Sequence, residues 1–545
     1  MKLAAAVCVF VLGLTCSTSA QEKKPSDKPA DLSLTAVGRQ HHPIRTSNKE
    51  AQDYFDQGIT LLYGFNHEEA ARAFQKAAEL DPKSPMPLWG VAMAVGPNYN
   101  LDVDAEREKI AYDTIQKASK LAENAPRVEQ DYVTTLMLRY SSDAKPDYKK
   151  LANIYATGMR TLSRKYPEDL DAATMYAESL MNLNPWQLWT ANGKPGEHTE
   201  EIVRVLESVL TRDPNHAGAN HYYIHALEAS PNPERALPSA GRLETLVPKA
   251  GHLVHMPAHI YARTGDFAQA AERNVVAARM DKAYAEEADR NGSLYDLMYH
   301  SHNEHFLAAA ACMEGRYAEA KKAADGLAAR LMPHARMMSM LDGFIMTPLW
   351  VDARFSKWDS ILARQEPIGV PETHLMWRYT RTLAFAARHD AAKATEEFAV
   401  YEKEEASIPA EAPFGLQSST KSVHAVAKAV LAARLAEAQG KPEDAIKHWL
   451  TAVEAQDKLN YNEPADWYYP VRESLGAAYM KVGKPYDAEM AFREDLRRNP
   501  RNPRSLFGLR EALAAQQSET DAAWVDRQFK QSWKNADVEL KLSEL

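Results

Sequence analysis

The strongest constraint on the fold is a pattern of small residues, aromatic residues and prolines that recurs at a period of about 34 residues. In its clearest copy, "YFDQGITLLYGFNHEEAARAFQKAAELDP", the marker residues are Gly58, Leu61, Ala70, Phe74, Ala77 and Pro82. Small residues at Gly58 and Ala70 allow two helices to approach closely, Phe74 fills the space between them, and Pro82 ends the second helix. The pattern therefore predicts a stack of helical hairpins.

The same pattern recurs near Gly265, Gly315 and Gly440, and it ends with a copy marked by Gly476, Tyr479, Gly483, Ala488, Phe492 and Pro500. In period and in marker residues the chain resembles the tetratricopeptide-repeat family, over most of residues 50–515. The resemblance implies an all-α fold, an α-solenoid in which antiparallel helix pairs form a right-handed superhelix. We predict this solenoid for residues 47–534, with degenerate repeats and no sheet. Because one fold hosts many functions, the resemblance indicates little about activity.

Several longer motifs resemble a narrower group, a bacterial subfamily of secreted tetratricopeptide-repeat proteins. They are "WGVAMAVGPNYN", "NPWQLW", "HYYIHALEAS", "GHLVHMPAHIYARTG", "HNEHFLAAAACMEGR" and "ADWYYPVRESLGAAYMKVG". This second resemblance also implies the fold without an activity.

The two ends of the chain differ from the repeats. Residues 1–20, "MKLAAAVCVFVLGLTCSTSA", have the pattern of a signal peptide that is cleaved before Gln21, which predicts a periplasmic or secreted protein. The apolar run is shorter than the roughly 20 residues of a membrane span, and no later stretch is long enough. Lipid attachment at Cys16 is the alternative. We assign residues 21–46 to a flexible linker and residues 535–545 to a C-terminal tail.

Composition narrows the classes of function. The chain has 545 residues, of which 45% are hydrophobic and 26% charged, as expected of a globular protein with a large core. Signal cleavage would leave Cys312 as the single cysteine, so no intrachain disulfide is expected. The net charge of -9 predicts no nucleic-acid partner. Phosphate-loop, dinucleotide, serine-hydrolase, CxxC and HExxH motifs are absent from the sequence.

Histidines are concentrated in one region, since nine of the 18 lie between His216 and His305. Alignment on the repeats places seven of them at positions 2, 5 or 9 of three successive first helices. The family resemblance implies that these positions line a concave groove. The predicted groove residues are His221, His225, His252, His255, His259, His302 and His305, together with Glu228. In this alignment, His221 is expected beside His255, and His225 beside His259.

These residue types are suited to binding a metal ion. Histidines four apart on a helix stand one above the other and can share an ion. Imidazole with an occasional carboxylate suits Zn, Cu or non-haem Fe. Glu228 would then be a carboxylate ligand or a catalytic general base. The alternative for each histidine is packing or helix capping, and His216 and His300 are interpreted as helix-start residues.

Two functions follow from this pattern. The first is a secreted protein whose histidine-rich groove binds a transition metal, with or without catalysis. The second is a non-enzymatic scaffold that binds a peptide, a protein or a small molecule in the same groove. Family members that clamp a peptide carboxylate have Lys and Asn where this chain has His, which argues against simple carboxylate clamping. The sequence decides neither the metal nor whether the protein is an enzyme.

Three local features bear on the groove. Pro257 predicts either a kink within the helix that carries His252, His255 and His259, or a late helix start that leaves the first two in a loop. The stretches "GPNYN" (96–100) and "NPWQLW" (184–189) interrupt the repeats. They are either lids over a ligand or turns whose aromatic residues plug the core.

Overall fold

The computed structural model describes residues 40–409, 411–415 and 417–545. The predicted signal peptide, and the part of the predicted linker before Gln40, lie outside this range. The chain forms two compact units. Unit 1 comprises the described residues up to Pro257 together with Arg279–Asp296, and unit 2 comprises Ala258–Ala278 together with Leu297–Leu545.

Unit 1 is built from helices alone in its described part, apart from isolated bridges in loops. Its α-helices are α1 (Lys49–Tyr63), α2 (His67–Leu80), α3 (Met86–Val95), α4 (Ala105–Ala122), α5 (Arg127–Met137), α6 (Tyr148–Lys165), α7 (Leu170–Met181), α8 (Thr199–Arg212), α9 (Ala217–Leu227), α10 (Leu237–Leu246) and α11 (Gly251–His255). A 3-10 turn, Pro233–Ala236, precedes α10. The next two helices, α12 (Pro257–Arg263) and α13 (Phe267–Glu287), contain the points where the chain passes between the units.

Unit 2 is also helical. Its α-helices are α14 (Ser301–Met313), α15 (Tyr317–Leu331), α16 (Asp342–Ile345), α17 (Thr347–Arg354), α18 (Trp358–Ala363), α19 (Pro371–Ala387), α20 (Ala391–Glu405), α21 (Thr420–Ala438), α22 (Pro442–Gln456), α23 (Arg472–Lys481), α24 (Pro485–Arg498), α25 (Pro503–Ala515) and α26 (Glu519–Ser532). Two strands of two residues, β1 (Pro413–Phe414) and β2 (Ser418–Ser419), pair in antiparallel fashion. The expectation of no sheet is therefore wrong for this short hairpin, and the all-α fold class is confirmed.

Consecutive helices pack as antiparallel pairs, among them α1 with α2, α21 with α22 and α25 with α26. The marker residues explain this packing. A Cβ atom on Gly58 would lie 2.4 Å from the ring of Phe74, and one on Gly90 would lie 2.5 Å from it. Phe492 fills the equivalent space near the end of the chain, 2.4 Å from the position of a Cβ on Gly476. The predicted role of the glycine and phenylalanine markers is confirmed.

Residues 40–46 are packed against unit 1, whereas the polar composition of this segment predicts a flexible linker. The His42 imidazole is buried and lies 2.8 Å from a carboxylate oxygen of Asp171. The backbone N–H of Arg45 donates to Glu129 (2.5 Å), and the Thr46 hydroxyl donates to Asp81 (2.7 Å). We call this segment the N-terminal strap. Its contacts are with distant residues, which local composition does not reveal.

The predicted C-terminal tail likewise packs on its unit. The side chain of Leu545 is buried, and Leu540 and Leu542 contact the same apolar cluster of unit 2. Asp537 accepts the backbone N–H of Tyr317 at 2.7 Å. Among the helices of the described residues, none is both long enough and apolar enough to cross a membrane.

Candidate metal centre

Helix α9 carries His221 and His225 and is set close to the end of α1. His216 caps its N-terminus, because its Nδ1 accepts the backbone N–H of Ala219 at 3.1 Å. A Cβ atom on Gly218 would lie 2.5 Å from the ring of Tyr63, so only glycine allows this approach. Both histidines are thereby held against the turn that joins α1 to α2.

Helix α11 carries His252 and His255, and it ends immediately before Met256. Pro257 begins the next helix, α12, so the proline lies in a first turn, and the two histidines before it lie on a short helix rather than in a loop. The start of α11 is held by a relay within unit 1. The backbone N–H of His252 donates to the Tyr295 hydroxyl (3.2 Å), which donates to Asp281 (3.0 Å).

Three of the predicted ligands converge in unit 1. One ring nitrogen from each of His221, His225 and His252 lies within 4.8 Å of the other two. The Nε2 atoms of His221 and His252 are 3.2 Å apart. Two nitrogens that share a zinc ion are separated by roughly 3–4 Å, because each Zn–N bond is about 2.0–2.1 Å. The 3.2 Å separation of the His221 and His252 nitrogens falls within that range.

Hydrogen bonds orient two of these rings. The Nδ1 of His221 lies 2.6 Å from the backbone carbonyl oxygen of Tyr63. A carbonyl can only accept, so Nδ1 carries the proton and the Nε2 lone pair of neutral His221 faces His252. The Nδ1 of His225 lies 2.8 Å from Glu228 Oε1, which fixes the same tautomer. Donation from the outer ring nitrogen to a carbonyl or carboxylate is the usual arrangement around histidine ligands of metals.

Aromatic rings surround the trio. The ring of Phe65 lies 4.5 Å from His221, 5.7 Å from His225 and 5.4 Å from His252, measured between centroids. Tyr99 of "GPNYN" and Trp186 of "NPWQLW" both contact the His225 ring, at 5.4 and 5.8 Å. The two interrupting stretches therefore meet at the histidines, and their aromatic side chains cover this face of the site.

Two of these aromatic residues have left-handed backbones. Phe65 has φ of 57° and Trp186 has φ of 59°, a region that non-glycine residues seldom occupy. The cost is of order 1–3 kcal/mol for each residue and persists only where the surroundings impose it. Trp189 holds the loop that contains Trp186 against α9, because its Nε1–H donates to the carbonyl of Ala226 at 2.7 Å.

The seven candidate histidines are divided between the units: His221, His225, His252 and His255 belong to unit 1, and His259, His302 and His305 belong to unit 2. His221 meets His252 instead of the expected His255, and His255 stacks against His252 at 5.7 Å between centroids. This register differs from the expected one because α11 is a short separate helix and not the first half of a regular one.

In unit 2, the rings of His259 and His302 lie 5.7 Å apart, and both contact Phe306. His305 packs against Phe344 and Trp350, and burial lowers the pKa of its imidazole to about 4. An imidazole in such a pocket is neutral at physiological pH, and its ring contacts are those of a packing residue.

No sequence motif marks the buried carboxylate of Asp171, which is linked to the trio through Tyr63. Asp171 accepts hydrogen bonds from the Tyr63 hydroxyl (2.6 Å), His42 (2.8 Å), His216 (3.1 Å) and Gln40 (3.1 Å). Burial alone would raise the pKa of Asp171, but the hydrogen bonds from His216 and His42 hold it well below its usual range. His216 therefore has two roles: it caps the start of α9, as the sequence suggested, and it also donates to Asp171.

No family model and no curated protein matches the chain. Solved structures that are similar include the human IFIT1 dimer with m7Gppp-AAAA, at 13% identity and a TM-score of 0.35, covering 90% of this chain and 91% of that chain. The human IFIT1 dimer with PPP-AAAA is similar at 14% identity and a TM-score of 0.31, covering 90% of this chain and 92% of that one.

Proposed function

We propose that the protein binds a transition-metal ion, Zn, Cu or Fe, through the Nε2 atoms of His221, His225 and His252. The observation that carries this proposal is the fixed protonation of two outer nitrogens. The Nδ1 atoms of His221 and His225 already donate to Tyr63 and Glu228, and one ring nitrogen from each of the three histidines lies within 4.8 Å of the other two. Imidazoles held in this way are oriented before an ion arrives.

The function proposed is binding, with Glu228 as a positioning residue. Its carboxylate contacts the outer nitrogen of His225, where it sets the tautomer and raises the basicity of that ligand. We propose this positioning role for Glu228 in place of the metal ligand or general base that the sequence suggested. All three histidines of the trio belong to unit 1.

We also propose that the site operates outside the cytoplasm. Residues 1–20 have the pattern of a cleaved signal peptide, and the periplasm receives proteins through such signals. The buried thiol of Cys312 is compatible with an oxidising compartment, since burial raises its pKa to about 12 and keeps it protonated.

The test is metal analysis of the full chain, purified without a histidine tag and loaded with each ion in turn. We expect about one bound ion per chain in the wild type. H221A and H252A should lose it, because each removes one of three ligands. Mass spectrometry of the eluted metal measures the content, and circular dichroism checks that the helices remain.

H448A is the matched control, since His448 is an exposed histidine on α22 in unit 2. Its metal content should equal that of the wild type. Equal metal content in H221A, H252A and the wild type would show that the trio is not the site.

A further inference from the structure

Unit 2 contains a cavity of about 500 Å³, a volume typical of sites for small molecules. Residues of α17, α19, α21, α23 and α25 border it, together with residues 543–545 near the end of the chain. Aromatic side chains of Trp358, Tyr468 and Tyr469 form part of its wall, and Val430 adds an apolar part. The cavity therefore has the size and the lining of a site for a small, partly apolar ligand.

Three arginines border the same cavity: Arg354, Arg434 and Arg504. Arg354 and Arg504 expose only 5% and 3% of their surface. One oxygen of Glu473 lies 2.9 Å from Nη2 of Arg354, and the other lies 3.2 Å from Nε of Arg504. The Nε–H of Arg354 is buried and has no hydrogen-bond partner among the described residues. Two buried guanidinium groups thus share the carboxylate of Glu473.

The shared carboxylate leaves the charged form of Arg504 costly. Burial and the neighbouring guanidinium of Arg354 lower the pKa of Arg504 to about 9. An anion in the cavity would reduce this cost, because it adds negative charge close to buried cations. The exposed side chain of Lys481 also borders the cavity and adds a further cation. The electrostatic character of the cavity therefore favours an acidic ligand.

The present contacts of Arg434 and Arg504 indicate the kind of acceptor that suits them. Arg434 donates to the backbone oxygen of Leu545 at 2.6 Å, and Arg504 donates to the backbone oxygen of Glu544. The Leu545 side chain beside these oxygens is buried. Glu437 lies 3.3 Å from Nη1 of Arg434, and its charge disfavours a ligand with two negative charges at this position. A single planar acidic group next to an apolar body matches these surroundings.

We propose that this cavity binds a small aromatic monocarboxylic acid. The carboxylate of the ligand accepts hydrogen bonds from Arg434, whose planar guanidinium matches the two carboxylate oxygens. The ring of the ligand packs against Tyr468 and Tyr469 on the wall of the cavity. Binding of the acid requires no residue of the histidine trio, which belongs to unit 1.

The experiment is a calorimetric titration of the full chain with phenylacetate. Phenylacetamide has nearly the same shape without the charge, and phenyl phosphate carries a second negative charge. We expect one phenylacetate per chain, bound at least about 10-fold more tightly than either analogue. R434Q should weaken phenylacetate binding about 10–100-fold, because it removes charge-assisted hydrogen bonds to the carboxylate.

A387F tests the cavity without a change of charge. Ala387 borders the cavity and is exposed, so a phenylalanine there takes up space in the cavity without overpacking the core. Phenylacetate should bind at least about 10-fold more weakly to A387F. A392F and R497Q are the matched controls, because Ala392 and Arg497 are exposed and are not among the residues that border the cavity. Both should bind phenylacetate as the wild type does.

Circular dichroism checks that each variant is folded, and A387F decides the test if R434Q does not fold. Equal affinity for phenylacetate and phenylacetamide, or tighter binding of phenyl phosphate, would overturn the choice of a monocarboxylate. Phenylacetate binding that is absent from the wild type, or unchanged in both R434Q and A387F, would overturn the site itself. H221A and H252A should bind phenylacetate with wild-type affinity, so a failure of the proposed metal centre is distinguishable from a failure of this site.

Discussion

Tyr63 makes hydrogen bonds to two different groups, through its carbonyl oxygen and through its hydroxyl. Its carbonyl oxygen accepts from His221 at 2.6 Å, and its hydroxyl donates to Asp171 at 2.6 Å. Asp171 in turn holds His42 of the N-terminal strap. Tyr63 therefore connects the strap to the histidine trio through a short path of hydrogen bonds.

At the residue scale, His305 predicts a dependence of stability on pH. Burial lowers the pKa of His305 to about 4 in the folded protein, from its ordinary value of 6.5. Between these values the unfolded chain binds the additional proton, so stability is lost as the pH falls. The free energy of unfolding should fall by up to about 1.4 kcal/mol per pH unit from this one residue. In H305F, urea unfolding measured from pH 7 to pH 4.5 should show a shallower fall.

H448Q is the control for this measurement, because it removes an exposed histidine. Its pH dependence should follow that of the wild type. A slope for H305F that is as steep as the wild-type slope would contradict the assignment of His305 as a neutral ring in the folded protein. His67, whose pKa burial also lowers to about 4, accounts for part of the slope that remains.

The sequence predicted which residue types form the site better than it predicted their partners. The spacing of His221 and His225 places both on one face of a helix, and the structure agrees. The carbonyl of Tyr63 lies 158 residues from His221 along the chain, and backbone carbonyls leave no trace in a sequence pattern. The hydrogen-bonding role of Asp171 was equally unpredictable from the sequence, since its four donors come from three distant segments.

At the scale of elements, close contact between α1 and α2 predicts a large cost for a small substitution. In G58A, the new Cβ would lie 2.4 Å from the ring of Phe74, which is itself buried. The helices must separate or Phe74 must move, and overpacking of this kind costs about 1–3 kcal/mol. Thermal unfolding of G58A should occur at a lower temperature than that of the wild type.

Gly241 supplies the matched control, because it lies on α10, where an added Cβ atom would have no neighbour within 4 Å among the described residues. G241A should be neutral, or stabilising by up to about 1 kcal/mol through helix propensity. An equal loss of stability in G58A and G241A would mean that helix separation is not the cause.

Element boundaries were predictable where small residues and prolines mark them, and less so near Pro257. The sequence allowed either a kinked helix or a loop before Pro257, whereas the structure has two helices separated by Met256. This break decides that His252, and not His255, meets His221. The hydrogen bonds of Tyr295 and Asp281 hold α11 in place. Asp281 lies in α13 and Tyr295 follows α13, so both residues are distant from α11 in the sequence.

At the scale of the whole molecule, the N-terminal strap predicts that a chain beginning at Ser47 is less stable than one beginning at Gln40. The shorter chain loses the contact between His42 and Asp171, and a buried acceptor that loses a partner costs about 1–3 kcal/mol. Urea unfolding of the two chains measures the difference.

The difference should also depend on pH. Burial alone would lower the pKa of His42, but the hydrogen bond and charge of Asp171 raise it above 6.5. The contribution of His42 is therefore complete below pH 6.5 and is lost as the pH rises through its folded-state value. Equal stability of the two chains at about pH 6 would show that the strap contacts add nothing.

The division of the chain into units has a consequence for the order in which the protein is made. Unit 1 is interrupted after Pro257 and resumes at Arg279–Asp296. During synthesis, the ribosome releases α9 and α11 well before Asp281 and Tyr295, which secure the backbone of His252. The growing chain therefore contains the three histidines before it contains the two residues that secure the backbone of His252. The candidate metal centre can therefore be completed only after about the first half of the chain, as far as Tyr295, has been made.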